Sequence, residues 1–169
     1  MGDVFKEQII KRKTTPRDTL KRAGLVVAVI VVIFLTFAYI PQFAPILIIV
    51  AGIAAWYLMS YLKVEYEYAF TDGELDIDVI YNRSRRKRLF SARVNDFETM
   101  AHVNDPMRAG DFQGAVQVLD YSSGVVSDDT YAFLINYKGR RTKIIIEPNA
   151  VMLKALATVL TRRRLHLRP

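Results

Sequence analysis

The chain of 169 residues contains no cysteine. Disulfides, zinc–thiolate centres and cysteine nucleophiles are therefore excluded, which suits a reducing cytoplasm. Histidine is nearly absent as well, with only His102 and His166. Neither stands in a recognisable serine or carboxylate arrangement, and no G-x-S-x-G, phosphate-binding Walker loop or H-E-x-x-H occurs. The expectation is a noncatalytic protein with no cofactor and no metal site. Charge is missing from two long stretches. Residues 23–40 and 45–62 each run 18 positions without an Asp, Glu, Lys or Arg.

A bilayer core of about 30 Å needs about 20 residues of helix, and about 17 at the least. Both stretches reach that length. The β-branched segment 26–33 (VVAVIVVI) offers no polar face. A soluble partner would have to cover it completely, whereas lipid accepts a helix that is apolar all round. A cleaved signal peptide fits poorly, because residues 1–22 are too long and charged and a second run follows at once. A two-helix transmembrane hairpin over 23–62 is expected. Its link, Pro41-Gln42-Phe43-Ala44-Pro45, is short and bounded by prolines, which end one helix and begin the next. The helices are then antiparallel neighbours with both chain ends on one side.

Charge bias names that side. Residues 1–22 carry seven bases against three acids, a net of +4, and the link carries no charge. The positive-inside rule puts both termini in the cytoplasm and the hairpin in the cytoplasmic membrane. Lys21, Arg22 and Lys63, with Tyr39 and Tyr61, are the expected interface anchors, helped by Trp56 and Tyr57. The spans hold no ionisable group, which argues against ion or proton transport by one copy. Ala51, Gly52, Ala54 and Ala55 permit close packing on the first span or on a larger membrane partner. In the basic N-terminal segment, Val4, Phe5, Ile9 and Ile10 lie among Lys6, Lys11, Arg12 and Lys13. Two readings stay open there: a short amphipathic helix on the membrane surface, or an unstructured basic tail.

Residues 63–169 are enough for one small domain with its own core. Residues 64–70 (VEYEYAF) are aromatic and β-branched, and Thr71-Asp72-Gly73 is a turn signal. Glu74–Tyr81 alternates strictly, with Leu75, Ile77 and Val79 on one face and Glu74, Asp76 and Asp78 on the other. Asn82-Arg83-Ser84 turns the chain into a third strand over 85–91. Further strands are expected at 93–103, 115–119, 130–137 and 141–147, the last two joined through Lys138-Gly139-Arg140. Glu147-Pro148-Asn149 reads as a helix start, and Met152, Leu153, Leu156, Ala157 and Leu160 then recur at helical spacing over 149–164.

About seven antiparallel strands closed by one C-terminal amphipathic helix resemble the pleckstrin-homology pattern. The mainly-β part looks like the bacterial pleckstrin-homology-like domains found on small two-span membrane proteins. Its most specific piece is the segment 68–78 (YAFTDGELDID) followed by a basic run, which is similar to a bacterial family of small membrane proteins of unknown function. That resemblance implies a fold and a location, and no activity.

The sharpest candidate site is the basic run Arg83, Arg85, Arg86, Lys87 and Arg88. The first strand leaves the membrane and the second returns, so the turn at 82–84 points back at the headgroups. Each base near an anionic leaflet contributes on the order of 1 kcal/mol. Eukaryotic pleckstrin-homology domains hold phosphoinositides in a basic early hairpin, and this run resembles that placement without a clear K-x-n-R-x-R spacing. The competing reading is cross-strand neutralisation of Asp76 and Asp78, or charge kept for topology alone. The acidic row Asp72, Glu74, Asp76 and Asp78 lies straight along one strand and cannot converge on one ion, so it reads as a solvated face. Arg162, Arg163, Arg164 and Arg168 complement a helix C-terminus, and nucleic acid is not an expected partner. The expected role is a membrane-anchored interaction or scaffold module that binds a membrane-protein partner or forms a homo-oligomer. The alternatives are an anionic-lipid headgroup sensor and an accessory subunit of a membrane complex.

Overall fold

A computed structural model of the chain describes residues 5–14, 16–61, 64–82, 84–160 and 165–166. The element order is β1 (Lys6–Lys11), α1 (Pro16–Tyr39), α2 (Ala44–Tyr61), β2 (Val64–Thr71), β3 (Glu74–Tyr81), β4 (Arg85–Arg93), β5 (Phe97–His102), β6 (Gln117–Asp120), β7 (Tyr131–Tyr137), β8 (Arg140–Ile146), α3 (Ala150–Val159) and β9 (Leu165–His166).

The two N-terminal helices are long and apolar enough to cross a membrane. A 3-10 turn over Pro41–Phe43 joins them. Their flanks are uncovered: Ile30, Phe34, Phe37, Ile46, Ile53 and Trp56 are all exposed. Where the two helices touch, Leu25, Val26, Val29 and Ile30 face Ala55 and Met59. α1 begins at Pro16, so Asp18, Lys21 and Arg22 lie within its first two turns.

The N-terminal segment corrects the expectation of an amphipathic helix or a loose tail. Residues 6–11 form a strand that pairs antiparallel with β2, from Lys6↔Phe70 to Lys11↔Glu65. Its pattern explains why. Gln8 and Ile10 share one face and Glu7, Ile9 and Lys11 the other, the period-two alternation of a strand. The ladder runs on past β1, with Arg12 N donating to Val64 O at 3.1 Å. The helical hairpin is thus inserted in the connection between two neighbouring strands of one sheet.

β1, β2, β3 and β4 form the first sheet in that order, and β6-β8-β7-β5-β9 the second. The expected strands at 64–70, 74–81, 130–137 and 141–147 stand within a residue or two. The expected strand at 93–103 is interrupted by a 3-10 turn over Val94–Asp96, whose Val94 is fully buried and carries the chain from one sheet to the other. Two pairings are parallel, β6 with β8 and β5 with β9. The β2–β3 turn places Asp72 and Gly73 at φ 49° and 85°, which Gly accepts without strain.

The core lies between the sheets. Tyr68, Phe70, Leu75, Ile77 and Phe90 from the first sheet meet Phe97, Met100, Phe133 and Ile144 from the second. Phe97 and Phe133 stack with centroids 4.0 Å apart. α3 closes the core with Met152, Ala155 and Leu156. Its expected start is observed: the Asn149 side chain caps Met152 N at 2.8 Å. The helix is shorter than 149–164, since Leu160 is already extended. Gln8 ties β1 to this start, donating to Glu147 O at 2.9 Å and accepting from Asn149 N at 2.8 Å.

These contacts make β1 part of the folded domain. A chain in which residues 14–62 are replaced by a short Gly/Asn turn, joining β1 directly to β2, should fold as a cooperative unit in water. A fragment that starts at residue 63 loses β1 and exposes the β2 edge, and it should melt lower or aggregate. Thermal melts of the two proteins side by side check this, and equal melting would show β1 to be dispensable.

Candidate functional site

The strand register brings one end of the first sheet to the hairpin. Lys11 pairs with Glu65, Glu65 with Ile80, and Ile80 with Arg86. The β3–β4 turn therefore lies at the sheet end from which α2 arrives and toward which β1 runs. Arg85, Arg86, Lys87 and Arg88 all project from β4 near this end, and all are exposed. Arg83 and Lys63 lie outside the described residues, as do Arg162, Arg163, Arg164 and Arg168.

The four bases do not act alike. Arg86 forms an ion pair and a hydrogen bond with Glu67 and lies 3.9 Å from Glu7. Arg88 bridges Asp76 and Asp78, at 2.8 Å to each. Both belong to the outer sheet face, where cross-strand charge pairing prevails over a free basic patch. Arg85 and Lys87 point to the other face, opposite Tyr81 and Val79 in register. Lys87 has no ion-pair partner among the described residues.

The acidic row is the expected solvated face only at Asp72 and Glu74, which are exposed. Asp78 is 8% exposed and Asp76 is covered in part by Arg88, while Glu74 accepts from Ser91 Oγ at 2.6 Å. Among the described residues no group of three His, Asp or Glu is placed to hold a metal. His102 is buried and its ring is fully used: Nδ1 accepts from Asn104 N at 3.1 Å, and Nε2 lies 3.1 Å from Ser127 O.

Sequence alternation missed Glu67. It lies on the polar face of β2, yet it is only 3% exposed because Arg86 and β1 cover it. Burial pushes its carboxyl up to about 7, helped by a hydrogen bond with Glu7, while Arg86 pulls the other way. A second unforeseen cluster anchors the 121–130 loop. The buried Tyr68 hydroxyl donates to Tyr121 O at 2.5 Å and accepts from Glu147 N at 3.2 Å. The Glu147 carboxylate accepts from Ser123 N and Ser127 Oγ at 3.0 and 2.7 Å. Burial alone would raise Glu147, but these bonds and the charge of Lys13 hold it below the ordinary carboxylate value. The backbone of Lys13 donates to Ser123 O at 2.7 Å, so this loop also adjoins the approach to α1.

Of the expected anchors, Lys21 and Arg22 lie in the charged first turns of α1, and Tyr39 ends that helix, 79% exposed, beside the link. Tyr61 is the last residue of α2. Tyr39 and the Lys21–Arg22 pair therefore stand at opposite ends of the hairpin.

A family model described as Bacterial PH-like domain (DUF6106) matches residues 2–165. The chain belongs to this bacterial PH-like family. The match begins before β1 and runs through both helices to β9, so the hairpin and the sheets are one family unit. No curated protein and no solved structure matches the chain. PH-like domains are in general noncatalytic and serve as interaction modules.

Glu67 predicts a pH dependence. Its native carboxyl titrates near 7, against an ordinary value of 4.5 in the unfolded chain. Between those values the native state binds the extra proton, so stability falls as pH rises through this window. Melting temperature should therefore be higher at pH 5 than at pH 8. Glu67→Gln should flatten that slope and raise the pH 8 value; an unchanged slope would place its cause elsewhere. Glu147 acts in the opposite sense and below its ordinary value, outside the window measured.

Proposed function

We propose that this protein is a noncatalytic interaction module held at the inner face of the cytoplasmic membrane. The hairpin is its anchor and both termini are cytoplasmic. One observation carries the reading: β1 and β2 pair on either side of the helical insertion, so both helices join the domain at one end of one sheet. A pair of antiparallel spans needs that arrangement, and the charge bias favours the cytoplasm for the domain. The partner is a membrane protein or a second copy of this chain, and the exposed apolar side chains of α1 and α2, Phe34, Phe37, Ile46 and Ile53 among them, support it.

Because the chain has no cysteine, single cysteines report topology directly. Gln42→Cys should react with a membrane-impermeant maleimide from outside intact cells, and Met107→Cys only after permeabilisation. The reverse pattern would invert the topology. Crosslinking of the intact protein in its membrane should capture a partner or a dimer, and a strictly solitary monomer would overturn the interaction reading.

Lys87 and the position of the β3–β4 turn favour a second reading, contact with anionic headgroups. Arg86 and Arg88 contribute less to it, since neighbouring carboxylates already hold them. In lipid nanodiscs, an environment-sensitive dye at Ser84→Cys should blue-shift when anionic lipid is included. Arg85→Gln with Lys87→Gln should cancel the shift. A dye insensitive to lipid charge would remove this reading.

A further inference from the structure

The two sheets do not meet along every edge. β4 is the last strand of the first sheet and β6 the last strand of the second. Among the described residues neither has a strand on its outer side. A cleft of about 460 Å³ lies between them, within the ordinary range for binding sites. Leu89, Leu119, Tyr121 and Tyr137 give it an apolar lining. Lys138 and Arg140 add positive charge, and among the described residues no carboxylate lines it.

Local features open this cleft. Ile77 pairs with Phe90 and Asp78 with Arg88, so Leu89 is an extra residue bulged out of the ladder. A bulge re-aims a side chain, and here it delivers Leu89 to the gap. Lys138 takes φ 51° in the β7–β8 turn, with its ammonium 5.1 Å from the centre of the Tyr137 ring. Arg140 has no ion-pair partner among the described residues, nor has Lys87, two positions before Leu89 on β4.

We propose that the β4–β6 cleft receives an extended acidic peptide segment of a partner protein. The unpaired backbone of the two edges supplies hydrogen bonds, alternate apolar side chains enter the Leu89–Tyr137 lining, and acidic ones meet Lys138, Arg140 and Lys87. Charge complementarity selects this occupant, because a neutral or basic strand would leave those cations unpaired. A second copy of β4 (RRKRLFSAR) fits worse, since its bases would face these same bases. The proposal rests on the interaction-module reading and names its partner's chemistry. Its failure leaves that reading standing, since crosslinking reports a partner on any surface.

The test uses the full chain in nanodiscs and a fluorescein-labelled hexapeptide of alternating Glu and Val, with the Lys/Val hexapeptide as control. The acidic peptide should bind at least about tenfold tighter by fluorescence polarisation, the scale of two modest charge contacts. Lys138→Glu with Arg140→Glu should cancel or invert that preference at an unchanged melting temperature. Val118→Lys, on the opposite face of β6, should leave it intact. No saturable binding, equal binding of the two peptides, or a preference untouched by the double reversal would overturn the proposal. If the reversal instead weakens adsorption of anionic vesicles while peptide binding is unchanged, the cleft is a lipid surface and the proposal falls.

Discussion

The structure depends on one pairing, that of β1 with β2 across the helical insertion. Six residue pairs from Lys6↔Phe70 to Lys11↔Glu65 close a connection that contains both long helices. Closing a flexible loop of such a length, rather than one of a few residues, costs about 2 kcal/mol of chain entropy. The hairpin removes much of that cost. Two antiparallel helices joined by the tight Pro41–Phe43 turn bring their outer ends together before the strands meet. The helical insertion is thus a rigid version of a hairpin loop. In turn β1 gives the domain an edge strand, a contact to α3 through Gln8, and cover for Glu67.

That cover sets the electrostatics of the sheet. Glu67 cannot be buried as a bare carboxylate at small cost. Arg86 supplies a counter-charge, and the raised carboxyl value is the remainder of the desolvation cost. Arg88 does the same for Asp76 and Asp78, which are less deeply buried than Glu67. A basic run that reads as one lipid-facing patch is therefore divided by the strand pleat. Its outer-face members neutralise acids, and its inner-face members, Arg85 and Lys87, are turned toward the open side of the sandwich. The pleat decides this, because alternate residues of one strand must face opposite ways.

Much of this was legible in the sequence because it is local. Uninterrupted apolar runs, strict alternation in Glu74–Tyr81, the Asp72-Gly73 and Lys138-Gly139 turns and the Asn149 cap each carry their signal within ten residues. β1 was not legible. Its six residues are mostly polar, and the strand that gives them order follows both helices. The break at Val94 was hidden because its residues read as a continuous strand, while only the tertiary fold shows that Val94 must be buried at the corner. At the candidate site the residue types were visible, but their roles required register. Asp78 faces Arg88 only because Leu89 bulges out, and no periodicity announces a bulge.

The same bulge links the charge pairing to the open cleft. If Leu89 were instead paired with Asp78 in a regular ladder, every position of β4 before it would shift to the opposite face. Arg85 and Lys87 would join the acidic outer face, and Arg86 and Arg88 would leave it. Glu67 would then lose the guanidinium that Arg86 provides. The bulge thus pairs the acids of the outer face with two arginines and turns Arg85 and Lys87 to the other face of β4. The bases of β4 also protect its edge, since like charges oppose self-pairing of two β4 strands. An edge protected in this way remains chemically selective: the charge that repels a second copy attracts an acidic strand.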